Sequence, residues 1–309
     1  MNFPIEFDIN IYKNDNIYLR NMNDKELIEH YSFYGKEEGL ISSKIKNRSD
    51  FINLVPQDRM ILEVGPLAFP SMNVIKPNIH TVDYFSKEEL IENYKNDPNV
   101  DINKICDVTY VIKNTVNYNE IIPQIFDYCF SSHNIEHVPC LITFLNNISS
   151  ILKNDSYFFL CIPDYRYCFD HFRNPSHIFE VLDSFYNKQN KPSAISHLES
   201  HYLTCHNNSE KHWNTLNNSI RNIFVTINEK KEFLNNQTSK IINEIESIKN
   251  IYKRCKNEYI DSHCWKFTPF IFSNIIHILY ETKYIDLRVE RIYKTLKGSN
   301  EFYVILKKC

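Results

Sequence analysis

The tightest constraint on this chain is a short, largely apolar run, Arg59–Val64 (RMILEV), that passes straight into Glu63-Val64-Gly65-Pro66. A buried strand that ends on a glycine turn and leads into a helix is how a doubly wound α/β sheet binds a nucleotide-like ligand at its strand C-termini. The 309 residues include only four glycines, at 35, 39, 65 and 298. In so glycine-poor a chain, a surviving glycine marks a place where a side chain does not fit, and Gly65 lets the backbone approach a ligand closely. Asp83 closes the next apolar run, Ile79–Asp83, at 83 − 65 = 18 residues from that glycine. An acid there can accept both hydroxyls of a ribose.

The rest of residues 46–164 alternates strand and helix. Ser86–Tyr94 reads as a helix with a serine cap and Glu89 at the capping-box position. A third strand is expected around Lys104–Val108 and a fourth over Phe126–Ser131. A helix follows over Pro139–Leu152, with apolar Leu141, Ile142, Leu145, Ile148, Ile151 and Leu152, and then a fifth strand, Tyr157–Ile162, stopped by Pro163. Such alternation implies a parallel, doubly wound sheet. Residues 165–262 break the rhythm, with helices expected over Pro175–Tyr186 and Glu229–Tyr259 and a His- and Asn-rich stretch between them. The chain then returns to α/β with a helix at Pro269–Tyr280 and strands at Ile285–Tyr293 and Glu301–Lys307. Gly298 lies in their link, which implies an antiparallel edge pair.

Residues 1–45 form a separate small helical unit. Leu27, Ile28, Tyr31 and Tyr34 recur at helical spacing and Gly35 stops the run. FDINIYKNDNIYLRNMNDKELIEHYSFYGKEEGL resembles a short module found beside glycosyltransferase domains in large DNA viruses and some bacteria. The same residues also read as a helical extension packed on the main domain, and both readings stand.

Composition narrows the partners. Lys plus Arg against Asp plus Glu is 35 − 38 = −3, with no basic block, so nucleic acid is not expected. The start MNFPIEFDIN has neither a basic flank nor an apolar core, so no signal peptide is expected, and no stretch approaches a membrane span. Nine scattered cysteines without a C-x-x-C read as reduced thiols of a cytoplasmic protein, the host's cytoplasm if the gene is viral.

Five stretches, ILEVGP, TVDYF, ICDVTY, FDYCFSSHNIEHVP and LITFLNNISSILKNDSYFFLCIPD, resemble in their order the class I S-adenosylmethionine-dependent methyltransferases. IPDYRYCFDHFR and YIDSHCWKFTPFIF are similar to a subgroup encoded near glycan biosynthesis genes. The resemblance covers about 46–309. It implies a seven-stranded, mostly parallel Rossmann-like sheet with a helical lid or acceptor insertion at about 165–262. It also selects S-adenosylmethionine over a nicotinamide dinucleotide, a choice that the glycine turn and acid leave open. By resemblance, Glu63, Gly65 and Pro66 stand at the methionine end of the donor, Asp83 on the ribose, Asp107 near the adenine, and Ser132 and His133 after the fourth strand. The single glycine followed by proline departs from the usual two or three glycines but is the habit of the glycan-associated subgroup.

The activity implied is O-methylation of a sugar hydroxyl in a glycan or a nucleotide-sugar, with glycosyltransferases as possible partners. A sugar hydroxyl is a weak acid, so a base is required. His133 leads, with Asp164 and His263 as further choices and Asp261 placed to orient His263. Asp164–Tyr167, Phe169, Asp170 and Arg173 are groups that read sugars. Glu136-His137 is similar to a metal-holding pair of some ubiquinone-pathway methyltransferases, but its commoner role is structural, at a helix entry. His201, Cys205, His206 and His212 match no standard zinc spacing. No metal is expected. Two rival functions remain open: a non-catalytic interaction module on the same fold, and a methyltransferase acting on a protein or a small metabolite.

Overall fold

The computed structural model of the chain describes residues 1–113, 117–216 and 219–309, and of 215, 216 and 219–226 the backbone alone. Seven strands form one sheet: β1 Ile61–Val64, β2 Ile79–Asp83, β3 Tyr110–Val111, β4 Phe126–Ser132, β5 Leu152–Pro163, β6 Leu287–Tyr293 and β7 Glu301–Lys308. Their order is β3-β2-β1-β4-β5-β7-β6. The first five are parallel neighbours, and β7 runs antiparallel between β5 and β6. This is the seven-stranded, mostly parallel architecture expected. The β6–β7 link carries Gly298 at φ +86.

Alternation along the strands supplies two cores. Leu62, Val64, Cys129, Phe158 and Leu160 face one side, where helices α6 (Leu141–Ile151) and α12 (Pro269–Glu281) bury their apolar stripes. Ile61, Phe130, Phe159 and Cys161 face the other side and meet Phe3, Phe51 and Val55. Successive strand residues point to opposite faces, so a sheet covered on both sides reads as continuous apolar runs, as β1 and β5 do. Glu63 shares the second face with Ile61, which decides its role below.

The helices before α6 are α1 (Ile9–Asp15), α2 (Asp24–His30), α3 (Arg48–Ile52), α4 (Lys87–Tyr94) and the single turn α5 (Tyr118–Ile121). Ser86 caps α4 and Glu89 returns to the Ser86 N–H, the expected capping box. In the N-terminal unit, Tyr12, Leu19, Leu27 and Tyr31 make a cluster of their own. The unit also packs on the sheet domain. Phe3 stands edge-on to Tyr157 at 4.9 Å, Tyr293 donates its hydroxyl to the Pro4 carbonyl at 2.7 Å, and Lys297 N donates to the Gly39 carbonyl at 3.0 Å. Gly39 has φ +63, and a Cβ there would lie 2.6 Å from the Trp213 ring. Trp213 in turn stacks on Tyr167 at 3.8 Å and donates to the Ser299 carbonyl.

Two expectations are corrected. The third strand lies at Tyr110–Val111, not around Lys104–Val108. Thr81 Oγ1 donates to the Asp107 carbonyl and accepts from Thr109 N, while Thr109 Oγ1 accepts from Thr81 N. These hydroxyl bonds replace the ladder, and strand pairing begins only where Tyr110 meets Val82. The helix expected over Glu229–Tyr259 is two helices, α10 (Ser219–Asn243) and α11 (Ile245–Cys255), broken at Glu244, whose carboxylate accepts from the Tyr202 hydroxyl at 2.9 Å. Between β5 and α10 stand α7 (Ile178–Tyr186), α8 (Ala194–Tyr202) and α9 (Ser209–Leu216). Among the described residues, no helix is long and apolar enough to cross a membrane. All nine cysteines are unpaired.

Phe159 is fully buried, with Phe3, Phe51 and Tyr128 rings at 5.8 to 5.9 Å. Phe159→Ala should cost about 3–5 kcal/mol, as large-to-small core changes do. A urea unfolding midpoint unchanged from the parent protein would contradict this packing.

Candidate active site

The parallel register aligns the C-terminal ends of the central strands: Val64 pairs with Val82 on one side and Ser131 on the other. The loops leaving β1, β2 and β4 therefore surround one cavity of about 300 Å3, lined among others by Gly65, Asp83, Tyr84, His133, Asn134 and Tyr259. Gly65 has φ +64, and a Cβ there would sit 2.5 Å from Asn134 Nδ2. Both the turn and the close approach of the β4 loop demand glycine. His133 itself holds φ +48, a strained conformation for a residue with a side chain and one that concentrates at functional sites.

Asp83 lines the cavity at the end of β2. Burial raises its carboxyl to about 6, partly offset by bonds from the Phe85 and Tyr84 amides. His133 also lines the cavity, and its Nε2 lies 2.9 Å from Glu301 Oε2. Glu301 accepts from Arg48 Nη1 at 2.6 Å, and Arg48 Nη2 donates to Ser132 Oγ. Burial acts to raise the Glu301 carboxyl, but His133 and Arg48 outweigh it and hold it below the usual range. Ser132 thus serves the Arg48 network and is not part of the cavity wall. Arg48 and Glu301 carry no motif in the sequence, and Asn134 stands inside FDYCFSSHNIEHVP without being singled out there. Glu301 announces itself only as a lone acid opening an otherwise apolar strand.

Three donor residues stand differently from what the resemblance implied. Glu63 is buried on the far sheet face, and its two oxygens accept from Ser71 N and Met72 N. It organises the loop that contains Pro66, and neither residue lines the cavity. Asp107 has its carboxylate 94% exposed and paired with Lys87 at 2.7 Å, also outside the lining.

The two other base choices are engaged elsewhere. Asp164 is fully buried, gripped in a fork by Arg166 Nε and Nη2 at 2.9 and 2.7 Å, and it accepts from Thr295 Oγ1. Both its oxygens are spent, which is a structural task and not that of a base. His263 is buried off the cavity. Its Nδ1 meets Asp170 at 2.5 Å, whereas Asp261 bonds His137 at 3.0 Å, so Asp170 orients His263 and Asp261 does not. Burial would lower the His137 pKa, but Asp261 and Glu136 reverse this and raise it to about 9.

Part of the stretch read as sugar-binding is likewise turned inward: Tyr167 lies on Trp213, and fully buried Arg173 pairs with Asp170 at 2.7 Å, while Tyr165, Arg166 and Phe169 are half-buried. Cys205, His206 and His212 do gather, with His171 stacked on His212, while the His201 ring packs on Tyr202.

No protein-family model matches the chain, and no curated protein matches it. Solved structures do. The mitomycin 7-O-methyltransferase MmcR is 10% identical, with 98% of this chain and 61% of that chain covered at a TM-score of 0.36. The methyltransferase CalH in complex with SAH is 12% identical over 95% and 62% at 0.38. An S-adenosylmethionine-dependent methyltransferase from Clostridium acetobutylicum is 14% identical over 46% and 58% at 0.26. The chain spans about half to three-fifths of the length of these structures and of the CcbJ methyltransferase from Streptomyces caelestis. Likeness at this level assigns neither activity nor ligand.

Burial raises the Glu63 carboxyl from 4.5 to about 7, against the pull of the Ser71 and Met72 amides and Arg48. The folded protein then keeps a proton that the unfolded chain releases, so stability falls as pH rises from 4.5 through about 7. Glu63→Gln should remove a slope on the order of 2–3 kcal/mol. Urea midpoints measured from pH 5 to 8 with parallel trends in both proteins would refute this.

Proposed function

We propose that the chain binds S-adenosylmethionine in this cavity and transfers the methyl group to an oxygen acceptor, a sugar hydroxyl in a glycan or a nucleotide-sugar. The observation that carries the reading is the row of Gly65, Asp83 and His133 at three neighbouring strand ends around one cavity. Nucleotide-like ligands bind doubly wound sheets at that edge. The glycine turn admits the methionine end, Asp83 takes the ribose hydroxyls, and apolar Ile112, Tyr118 and Val138 suit the adenine. The acceptor class rests on the resemblance of the IPDYRYCFDHFR and YIDSHCWKFTPFIF segments to the glycan-associated subgroup, with residues 165–262 as its lid and the cytoplasm as its site of action.

Transfer from a sulfonium is an in-line displacement: the acceptor oxygen forms its bond to the methyl carbon as the carbon–sulfur bond breaks and the pair stays on sulfur. Alignment supplies most of the rate. The acceptor's proton passes to His133, which donates its Nε2–H to Glu301 and keeps Nδ1 as the proton acceptor. Glu301 orients the ring and stabilises the imidazolium.

Calorimetry should show binding of S-adenosylmethionine and of its demethylated product, abolished in Asp83→Ala. No heat with either ligand on folded protein would sink the proposal. Because the Asp83 carboxyl is held at about 6, its acceptor form is lost as pH falls through that value. Affinity should drop roughly tenfold per pH unit well below it and Asp83→Asn should flatten that dependence. His133→Ala should lower kcat by about 10²–10⁴ while leaving donor binding intact. Mass spectrometry of native glycans with and without the gene should reveal loss of one CH2 increment.

A further inference from the structure

The loop after β4 and the segment that re-enters the sheet domain from the lid are fastened together at Glu136. Its carbonyl accepts from Cys264 N at 2.6 Å and Trp265 N at 3.0 Å, and Trp265 Nε1 donates to the Val138 carbonyl at 2.6 Å. This brings His263 beside Glu136-His137, although the two segments lie far apart in sequence. The Glu136 side chain is 1% exposed, and neither carboxylate oxygen has a hydrogen-bond partner. A buried carboxylate with both oxygens unsatisfied is among the costliest groups a fold can hold.

Three imidazole nitrogens face that carboxylate. His133 Nδ1, His137 Nε2 and His263 Nε2 lie 3.8, 3.9 and 4.0 Å from Oε1. These gaps are too long for hydrogen bonds. The other nitrogen of each ring is held by a second acid: Glu301 on His133, Asp261 on His137 and Asp170 on His263. An outer carboxylate that fixes a histidine's tautomer and aims its remaining nitrogen inward is the usual support of a metal-binding imidazole. The donor atoms of Glu136, His137 and His263 all lie within 4.8 Å of one another. An ion about 2.0–2.2 Å from each ligand draws them to roughly 3–3.5 Å apart, closer than the present 3.9 and 4.0 Å of the two imidazole nitrogens from Glu136 Oε1.

We propose that Glu136, His137 and His263 form a binding site for one divalent transition-metal ion. Two imidazoles and one carboxylate suit zinc, iron, cobalt or manganese better than magnesium or calcium, which take oxygen donors. The ion gives the buried carboxylate the direct contact that the three imidazoles, at 3.8 to 4.0 Å, do not supply. This departs from the expectation of no metal, because that expectation weighed Glu136-His137 without the distant His263. His137 also lines the cavity, so an ion held by it would adjoin the space beside His133. There the ion would bind the acceptor hydroxyl and ease loss of its proton. That last role rests on the methyltransferase reading; the binding itself does not.

The test uses the full chain, stripped with EDTA, dialysed and titrated with Co2+ while visible absorption is followed. One equivalent should bind, with weak d–d bands and no intense thiolate band. Glu136→Gln and His263→Gln should each weaken binding at least tenfold, and Cys205→Ser should not change it. Glu136→Gln keeps the size and polarity of the side chain, so it should fold; Co2+ should raise the melting temperature of the parent alone. Sub-stoichiometric binding to folded parent protein, binding unchanged in Glu136→Gln and His263→Gln, or a thiolate band lost in Cys205→Ser would each overturn the proposal. Calorimetry with S-adenosylmethionine, run in parallel, separates the readings: metal without donor binding sinks the methyltransferase proposal alone, and donor without metal binding sinks this one alone.

Discussion

Everything at the candidate site depends on parallel pairing of β1 with both β2 and β4. Parallel strands end at one edge of the sheet, and here Val64, Val82 and Ser131 stand abreast in the ladder. The next residues therefore open a common cavity whatever their own identity. Side-chain chemistry is then a matter of which residue stands at each strand end: Gly65, Asp83 and His133. The pairing is stabilised from both sides, since the apolar runs of β4 and β5 bury alternate residues against α6 and α12 and against the α3 face.

Position along the strand sorts the acids. Glu63 and Asp83 are both expected donor ligands and the register puts them on the same sheet face, yet Glu63, inside its strand, ties down its own loop, while Asp83, the last residue of its strand, reaches the cavity. A second organising bond is the Glu136 carbonyl, which receives two amides of the returning segment. It sets His137, which lines the cavity, and His263, which lies behind it, with ring centroids 4.5 Å apart.

The sheet was legible because its signals are local. Strand–helix alternation, the serine cap of α4 and the glycine in the β6–β7 link all act within a few residues, and each stands where the pattern placed it. The third strand was misplaced because Thr81 and Thr109 exchange side-chain bonds across the gap, which hydrophobic periodicity does not register. Gly65, Asp83 and His133 could be placed together from sequence because each sits at or next to a strand end, and all three line the cavity. Arg48 and Glu301 were missed, and Asp170 was assigned to sugar binding, because their roles come from partners many residues away: Arg48 meets Glu301, and Asp170 meets His263. Asp164 misled for the reverse reason. It follows a strand, but Arg166 and Thr295 close over it.

Trp213 joins three parts of the chain that sequence separates widely. It lies against Gly39 of the N-terminal unit, Tyr167 at the entry to the helical insertion after β5, and the Ser299 carbonyl before β7. The N-terminal unit and the insertion therefore form one inheritable block. A chimera that exchanges either one for a homologous piece inherits a misfitted indole slot, so recombination or engineering of the insertion has to carry the first forty residues with it.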